Sequence, residues 1–474
     1  MQLKKYKIKF NRRGLNMNKV ERIIRGKIVL KDSVIQGEVG INEGKIVSIH
    51  EGKGHLQSDN IKDFGESYVF PGVIDVHVHC FSNPNEGFVS TSTSAAAGGI
   101  TTFLDMPYDL PNPINNVEIF KKKVEQLEKE AVVDICLWGT ISKRNGTDQI
   151  IPLAEAGAVA FKMSTFETDE YRFPRIPDTE ILKAMKLIEQ TGLRAAFHSE
   201  NDEIIVDLID QYINEGKVYP KAHNETRPPL TETSAVLKLM EFAYWTGVKL
   251  HIVHVSHPRT IDLIKQFQAQ GVKVTCETCY PYLLMDVEDL EKYGPVAKNN
   301  PPLREKEEVQ GLWKHIEEGN IDLISSDHAP WSAEQKIKGN DNIFLASSGL
   351  PGVEIMTPLM FNSTVSNGRL SPNAFANLMS THPAEVFSIP GKGQISIGYD
   401  ADFTVIDPNQ KMVIDQNSFR SFSKLSPFDG QELNCKVIST IVRGEEVFDG
   451  ENVTQNPGYG KFVPGSAAKA ALPL

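Results

Sequence analysis

Two histidines, His77 and His79, stand two residues apart in a β-branched run that predicts a strand. Side chains at positions i and i+2 of a strand share one face, so both imidazoles are expected on the same side. Imidazole nitrogens are suitable ligands for a Zn²⁺-type ion, which also accepts oxygen donors. Asp75, two residues earlier, either orients one of these histidines or simply closes the strand. The spacing predicts part of a metal site.

A lysine inside an apolar run is a second candidate. Lys162 follows Val159-Ala-Phe and precedes Met163, and a buried ammonium group is costly unless its charge is removed or paired. Reaction with CO₂ would convert the amine into an anionic carbamate able to bridge two cations. Taken alone, the position is better explained as a lysine that leads out of a strand to solvent.

Three further candidates, His198, His254 and Asp327, each follow an apolar run. A carboxylate at position 327 could bind a metal ion and take a proton from water, whose pKa falls to about 7 on a metal. His251, three residues before His254, is expected to point elsewhere and is interpreted as a packing or surface residue. The placement of several such residues at separate strand ends favours one joint site.

Strands and helices must bring these side chains together. Helical patterns cover 117–130, 179–191 and 231–246, and they alternate with eight apolar, strand-like runs. These runs are 73–76, 101–105, 132–138, 158–162, 194–198, 249–254, 273–277 and 321–327. The alternation predicts an α/β fold, a (β/α)8 TIM barrel over residues 71–388. Since active sites of such barrels lie where the strands end, the candidate ligands would converge there.

Both ends of the chain have a different pattern of short β-branched segments broken by glycine. We expect residues 17–70 and 389–455 to form one small β-sandwich domain. Residues 1–16 are interpreted as a disordered extension, with Met17 as an alternative start, and residues 456–474 as a C-terminal tail.

Composition excludes several classes of function. The 474 residues carry 50 Lys and Arg against 61 Asp and Glu, a net charge of −11, which argues against nucleic-acid partners. No apolar run approaches the roughly 20 residues that cross a bilayer, so no membrane partner is expected. Five scattered cysteines, an odd number, fit the reducing cytoplasm.

The ligand set as a whole resembles the amidohydrolase superfamily. Within it, the chain is similar to the cyclic-amidase branch of allantoinases, hydantoinases, dihydropyrimidinases and dihydroorotases, and its motifs are most like those of allantoinases. The resemblance covers about residues 20–450 and includes Gly98-Gly-Ile-Thr-Thr, Pro301-Pro-Leu-Arg, Ser326-Asp-His-Ala-Pro, Thr381-His-Pro-Ala and Gly398-Tyr-Asp-Ala-Asp-Phe.

This resemblance implies two divalent metal ions, expected to be Zn²⁺. It places His77, His79 and Asp327 on one ion and His198 and His254 on the other, with Lys162 as a bridging N6-carboxylysine. It also implies that a metal-bridging hydroxide attacks the ring carbonyl, while Asp327 acts as general base and then as general acid.

The implied substrate is a small cyclic ureide, allantoin or another 5-substituted hydantoin. Asn300, Ser348 and Asp109 are expected to bind it, and Asp109 would disfavour an anionic substituent. A dihydropyrimidinase is the alternative, and a non-catalytic scaffold relative is a remote one. A dihydroorotase is disfavoured because Cys80-Phe-Ser82 follows His79 where that group carries an arginine. The resemblance also implies a homotetramer.

Overall fold

A computed structural model describes residues 18–469. The predicted extension over residues 1–16, with Met17, and the last five residues lie outside the described part. The strands are β1 (Arg22–Val29), β2 (Val34–Asn42), β3 (Lys45–Glu51), β4 (Ile61–Pro71), β5 (Val73–Val78), β6 (Ile100–Asp105), β7 (Asp134–Leu137), β8 (Phe161–Ser164), β9 (Arg194–His198), β10 (Lys249–Ile252), β11 (Val274–Cys279), β12 (Leu323–Ser325), β13 (Phe403–Asp407), β14 (Met412–Val413), β15 (Glu432–Leu433), β16 (Lys436–Val442) and β17 (Glu445–Phe448).

The described α-helices are α1 (Gly87–Ala97), α2 (Val117–Glu130), α3 (Ile150–Ala156), α4 (Asp178–Thr191), α5 (Asp202–Asn214), α6 (Ala222–Glu225), α7 (Pro229–Thr246), α8 (Pro258–Ala269), α9 (Tyr280–Leu284), α10 (Val287–Tyr293), α11 (Lys306–Glu317), α12 (Ala333–Ile337), α13 (Met356–Phe361), α14 (Pro372–Ala376) and α15 (His382–Val386). Short 3₁₀ segments cover Thr147–Gln149, Gly294–Ala297, Ile343–Leu345 and Gln416–Ser418, and π-helical turns cover Asn362–Ser366 and Asn377–Thr381. None of these helices is both long enough and apolar enough to cross a membrane.

The two chain ends meet in one seven-stranded sheet. Its order is β17-β16-β13-β4-β1-β2-β3, and β4 is the strand that joins the two halves. It pairs in parallel with β1 and antiparallel with β13. One cluster of inward-facing side chains, including Ile24, Val39, Val405 and Ile441, is fully buried and fills its core. A two-stranded ribbon of β14 and β15 completes this β-rich part.

Strands β5 to β12 form the barrel. They occur as a three-stranded segment, β5-β6-β7, and a five-stranded segment, β8 to β12, all parallel. Single parallel bridges, Gly139 with Phe161 and Val78 with His328, join the two segments. Nearly every residue of these strands is buried, because a parallel barrel is covered on both faces. The prediction of a TIM barrel with a β-rich domain from both chain ends is confirmed.

The predicted helices follow their sequence patterns closely. Helix α2 begins at the Asn116 cap, whose side chain accepts a hydrogen bond from the Ile119 amide, and it buries Phe120 and Leu127 against the barrel. Helices α4 and α7 both end at glycines, Gly192 and Gly247, with φ of 73° and 72°. Glycine fits there because a side chain disfavours that left-handed conformation.

The C-terminal segment, which was interpreted as a tail from residue 456, packs against the barrel in the part described up to residue 469. Phe462 bridges in parallel to Ile135, and its ring meets the edge of Phe120 at a centroid distance of 5.8 Å. The amide of Gly465 donates to the Gly157 carbonyl. The sequence of this segment is polar and rich in glycine, so its packing against the barrel was not predicted.

Candidate metal centre

The barrel places all six predicted metal ligands at one mouth. Lys162 lies in β8, His77 in β5, and His198 ends β9. The remaining three follow β5, β10 and β12. His254 and Asp327 have positive φ values of 40° and 48°. Left-handed backbone at a residue other than glycine is strained, and such strain concentrates at functional sites.

Asp327 is the centre of the first ligand group. Its Oδ1 lies 3.1 Å from Nε2 of His77 and 3.4 Å from Nε2 of His79. These three ligand atoms lie within 4.8 Å of one another and could hold one ion. Lys162 Nζ adjoins them, 3.5 Å from His77 Nε2.

A second ligand group stands beside the first. Nδ1 of His198 lies 2.9 Å from Nε2 of His254, and the His254 ring centroid is 5.4 Å from that of His77. Burial lowers the pKa of both His198 and His254, so their imidazoles are neutral at physiological pH. Two neutral imidazole nitrogens this close together could both bind one cation.

Glu277, in β11, is a residue that the sequence reasoning missed. Its Oε1 accepts a hydrogen bond from Nδ1 of His77 at 2.5 Å, and its Oε2 contacts Nε2 of His251 at 3.2 Å. Burial acts to raise the pKa of Glu277, but the two histidines hold it well below the usual value. Because Nδ1 of His77 donates to this carboxylate, the lone pair of Nε2 faces the ligand group.

His251 is therefore more than a packing residue. It is fully buried, its Nδ1 contacts Thr275 Oγ1, and its Nε2 contacts the Glu277 carboxylate that orients His77. A signal was present in the sequence, because Glu277 ends a predicted strand as the candidate metal ligands do.

Asp75 was expected to orient a histidine or to close the strand. Its Oδ1 instead accepts hydrogen bonds from the backbone amides of His77 and Ser326 and so ties β5 to the segment after β12.

Glu200 has the same relation to the second group. Its Oε2 lies 2.7 Å from Nε2 of His198 and 2.8 Å from Nη1 of Arg227. A hydrogen on Nε2 leaves the Nδ1 lone pair of His198 directed at His254. Both groups thus have an outer carboxylate that fixes the orientation of one histidine.

Lys162 is 1% exposed, and burial lowers its pKa to about 8. A substantial share of the amine is therefore neutral near physiological pH, and the neutral amine is the form that reacts with CO₂. Burial likewise lowers the pKa of His79 to about 3. The nitrogen and carboxylate donors, with lone pairs directed inward, fit divalent metal ions.

A cavity of about 430 Å³ opens above the ligands. Asn300 and Ser348 line it, as expected for substrate-binding residues, and the Ser348 carbonyl accepts a hydrogen bond from Trp331 Nε1 at 2.6 Å. The cavity also contains residues that the sequence reasoning did not single out, among them Ser82, Thr168, Arg172, His223, Arg227 and Lys298.

Asp109 is not among the residues that line this cavity. Its Oδ2 lies 2.6 Å from Nζ of Lys123, a buried lysine on α2 that also pairs with Asp105. Burial raises the pKa of Asp109 to about 7. The geometry gives no support to the expected repulsion of an anionic substituent, because Lys123 compensates the charge of this carboxylate.

A closed parallel barrel with histidine, lysine and aspartate ligands at its mouth defines a metal-dependent hydrolase. The Amidohydrolase family matches residues 68–447. The chain belongs to this family, and the resemblance predicted from its motifs is confirmed.

Relatives of known name narrow the activity. An allantoinase of Bacillus licheniformis is 32% identical over 452 residues, which cover 93% of this chain and 99% of that protein. An L-hydantoinase of Paenarthrobacter aurescens is 32% identical over 442 residues, covering 92% and 96%. The solved structure of an L-hydantoinase (dihydropyrimidinase) from Arthrobacter aurescens superimposes with a TM-score of 0.91 at 31% identity and covers 94% of this chain and 100% of its own. The predicted hydrolase of cyclic amides is thereby confirmed.

Proposed function

We propose that this chain opens the ring of allantoin or of another 5-substituted hydantoin by hydrolysing a C–N bond. The observation that carries the proposal is the convergence of six ligands with two orienting carboxylates below one cavity. The names of the relatives, allantoinase and L-hydantoinase, support this class of ring.

We propose two Zn²⁺ ions at this centre. His77, His79 and Asp327 would hold one ion, His198 and His254 the other, and N6-carboxylated Lys162 would bridge them. When bound, the ions supply Lewis acidity that activates water and polarises the ring carbonyl. The burial of Lys162 and its lowered pKa support the carbamate, since a neutral amine is required for its formation.

Asp327 is suited to move the proton. Burial acts to raise its pKa, but His77 and His79 hold that pKa below its usual value, so the carboxylate is ionised and ready to act as a base. It accepts a proton from the attacking water as the C–O bond forms and returns it to the ring nitrogen as the C–N bond breaks. The products are a carboxylate and a terminal urea nitrogen on one open chain.

Asn300 and Ser348 are proposed to hold the ring from the opposite wall of the cavity. Asn300 Oδ1 is buried and has no hydrogen-bond partner among the described residues, so it is free to accept from a ring amide. Nε1 of Trp331 donates a hydrogen bond to the Ser348 carbonyl and so fixes its orientation. A ring with alternating N–H and C=O groups matches such a set of donors and acceptors.

We also propose a homotetramer. Helices α5 and α7 carry exposed apolar side chains at seven-residue spacing, Val206 and Ile213 on one and Leu230, Leu237 and Tyr244 on the other. Such a surface is costly in water unless it is covered. Sedimentation velocity of the wild type and of Leu237→Glu tests this, and a monomeric wild type would contradict it.

For location we propose the cytoplasm, which the five unbridged cysteines support.

The experiment that tests the proposed function is a ring-opening assay with allantoin, 5-monosubstituted hydantoins and dihydrouracil. Metal-loaded enzyme with bicarbonate should open allantoin or a hydantoin, and Lys162→Ala should be inactive. Lys183→Ala is the matched control, since Lys183 pairs with Glu180 on the surface of α4 and should keep full activity. Preference for dihydrouracil would instead identify the dihydropyrimidinase alternative.

A further inference from the structure

Arg172 is a cation of the cavity wall that has unused hydrogen-bond donors and, among the described residues, no ion-pair partner. It follows β8 on the 165–177 connection and lines the cavity half-buried. Among the described residues its only side-chain hydrogen bond runs from Nη1 to the Tyr108 carbonyl, at 2.9 Å. A guanidinium has five N–H donors, so most of them remain free.

The other charged groups of the cavity wall are already engaged. Arg227 is bound to Glu200, and Lys298 donates from Nζ to the carbonyls of Ile343 and Ala346 at 2.9 Å and 2.7 Å. Glu167 accepts from Lys143 with both carboxylate oxygens at 2.7 Å. The charges of Arg227 and Glu167 are thereby paired, although Arg227 Nε has no hydrogen-bond partner, and Lys298 Nζ is held by two carbonyls.

No carboxylate in the described part of the chain lies within 4 Å of the Arg172 guanidinium. Asp169, three residues before Arg172, uses Oδ1 to accept the backbone amides of Tyr171 and Arg172. Asp109 interacts with Arg172 only at longer range, and its oxygen is bound to Lys123. Arg172 is thus a partly desolvated cation that an acceptor from a ligand would satisfy.

The position of Arg172 connects it to the metal ligands. Its neighbour Phe173 has its ring 5.8 Å from Lys162 Nζ and 5.8 Å from the His198 ring centroid. The Tyr108 and Phe173 rings stack at 3.6 Å, and Tyr108 also stacks on His79 at 6.4 Å. The rings of Tyr108 and Phe173 thus form an aromatic wall next to the candidate metal ligands, and Arg172 continues this wall along the cavity.

We propose that Arg172 determines specificity by binding a carboxylate or urea oxygen on the C5 substituent of the ring. A guanidinium offers two parallel N–H donors, which match the planar acceptors of those groups and have no partner in an alkyl chain. This inference rests on the proposed function. It reverses the selectivity predicted from Asp109, which was expected to disfavour an anionic substituent. The site then favours acceptor-bearing substituents over plain alkyl ones.

The test compares three substrates, hydantoin-5-acetic acid, allantoin and 5-methylhydantoin, on metal-loaded enzyme. Arg172→Gln should lower kcat/KM for the first two by about tenfold or more relative to 5-methylhydantoin, mainly through KM, because a charge-assisted hydrogen bond is lost. Arg172→Lys should restore part of the preference for the acid. Arg175→Gln is the matched control, because Arg175 pairs with Asp202 and is not among the cavity-lining residues.

The outcomes separate the two proposals. If the wild type opens these rings and Arg172→Gln changes all three kcat/KM values alike, Arg172 only supports the Tyr108 carbonyl and the inference is wrong. The inference is also wrong if Arg175→Gln changes the relative kcat/KM values of the three substrates as much as Arg172→Gln does. If the metal-loaded wild type opens none of the three rings, the proposed function fails and the inference fails with it.

Discussion

Two buried clusters of charged and titratable side chains lie at opposite ends of the barrel strands, and they are built on different principles. At the mouth, the candidate metal centre brings histidine nitrogens and a carboxylate close together, and few oppositely charged side chains compensate them. At the start of β7, Lys392 lies between three carboxylates, 2.7 Å from Asp134, 2.6 Å from Asp402 and 3.1 Å from Asp400. Arg443 pairs with the other oxygen of Asp134.

The cluster around Lys392, which we call the junction cluster, is complete without any ligand. Its members come from β7, from the segment before β13 and from the turn after β16, so it joins the barrel to the seven-stranded sheet. Burial acts to lower the pKa of Lys392, but the carboxylates raise it well above its usual value. Lys162 has the opposite shift, since burial prevails there. A buried lysine with partners stabilises the fold, whereas one without them is available for chemistry.

The largest expected effect comes from Asp327→Asn in the metal centre. Loss of both a proposed ligand and the proposed proton carrier should lower kcat/KM by about 10³-fold or more, as expected for a general base on a metal site. The metal-free variant should be less stable than the metal-free wild type, because a carboxylate whose pKa is lowered in the folded state contributes stability that an amide lacks. Enzyme kinetics and thermal unfolding of the metal-free proteins measure the two effects.

Asp322→Asn, at the other end of the same barrel strand, is the matched control for that change. Its carboxylate accepts the Cys276 amide and lies away from the cavity. If Asp322→Asn lowered the activity of the folded enzyme as much as Asp327→Asn, the assignment of Asp327 as the proton carrier would be wrong.

The second effect concerns the junction cluster. Asp134→Asn leaves Lys392 and Arg443 short of a buried counter-charge, and we expect a loss of about 3–5 kcal/mol in the free energy of unfolding. The folded fraction should keep the wild-type kcat. Urea unfolding and kinetics on the same samples check this, and a kcat that fell with a normal metal content would show that the two clusters are coupled.

A smaller effect is expected from Glu277→Gln, which keeps the shape of the residue that orients His77. Removing the negative charge should weaken metal binding or activity about 10- to 100-fold, the usual range for a residue behind a ligand. Added metal should restore part of the activity. Glu232→Gln, in a buried contact with Ser256 and Thr260 rather than with a metal ligand, is the control.

The smallest effect is a pH dependence of stability at Lys298. Burial lowers the pKa of this lysine to about 7, below the roughly 10.4 of an unfolded chain. The folded state therefore binds fewer protons than the unfolded state between these values, and stability rises with pH across that window. Between pH 7 and 9 the gain should be about 2 kcal/mol.

Lys298→Met should abolish that part of the pH dependence in urea unfolding. Lys392→Met provides the contrast, because Lys392 stays protonated in both states over this pH range and its removal should lower stability by a constant amount. An unchanged slope in Lys298→Met would mean that the two carbonyl contacts of Lys298 offset the burial of its ammonium group.

The convergence of the six candidate ligands could be predicted, because each lies at the end of an apolar run and strand ends of a barrel share one face. His77, Lys162 and Asp327 were found in this way. Glu277 was not singled out, although it also ends a predicted strand, because a carboxylate there has no evident role until His77 is seen beside it. Arg172 was missed because nothing in a loop sequence shows which cations lack partners.

The sequence by itself determined the strands, the helices and the types of ligand, because periodicity, capping and turn residues act over short stretches of chain. Only the tertiary structure decided how charges are compensated. Lys123 neutralises Asp109, Lys392 is enclosed by carboxylates, and Arg172 keeps free donors facing the cavity. The physical reason is that electrostatic and hydrogen-bond compensation depends on distances of a few ångströms between residues that are remote in the chain, and these distances exist only once the barrel is closed.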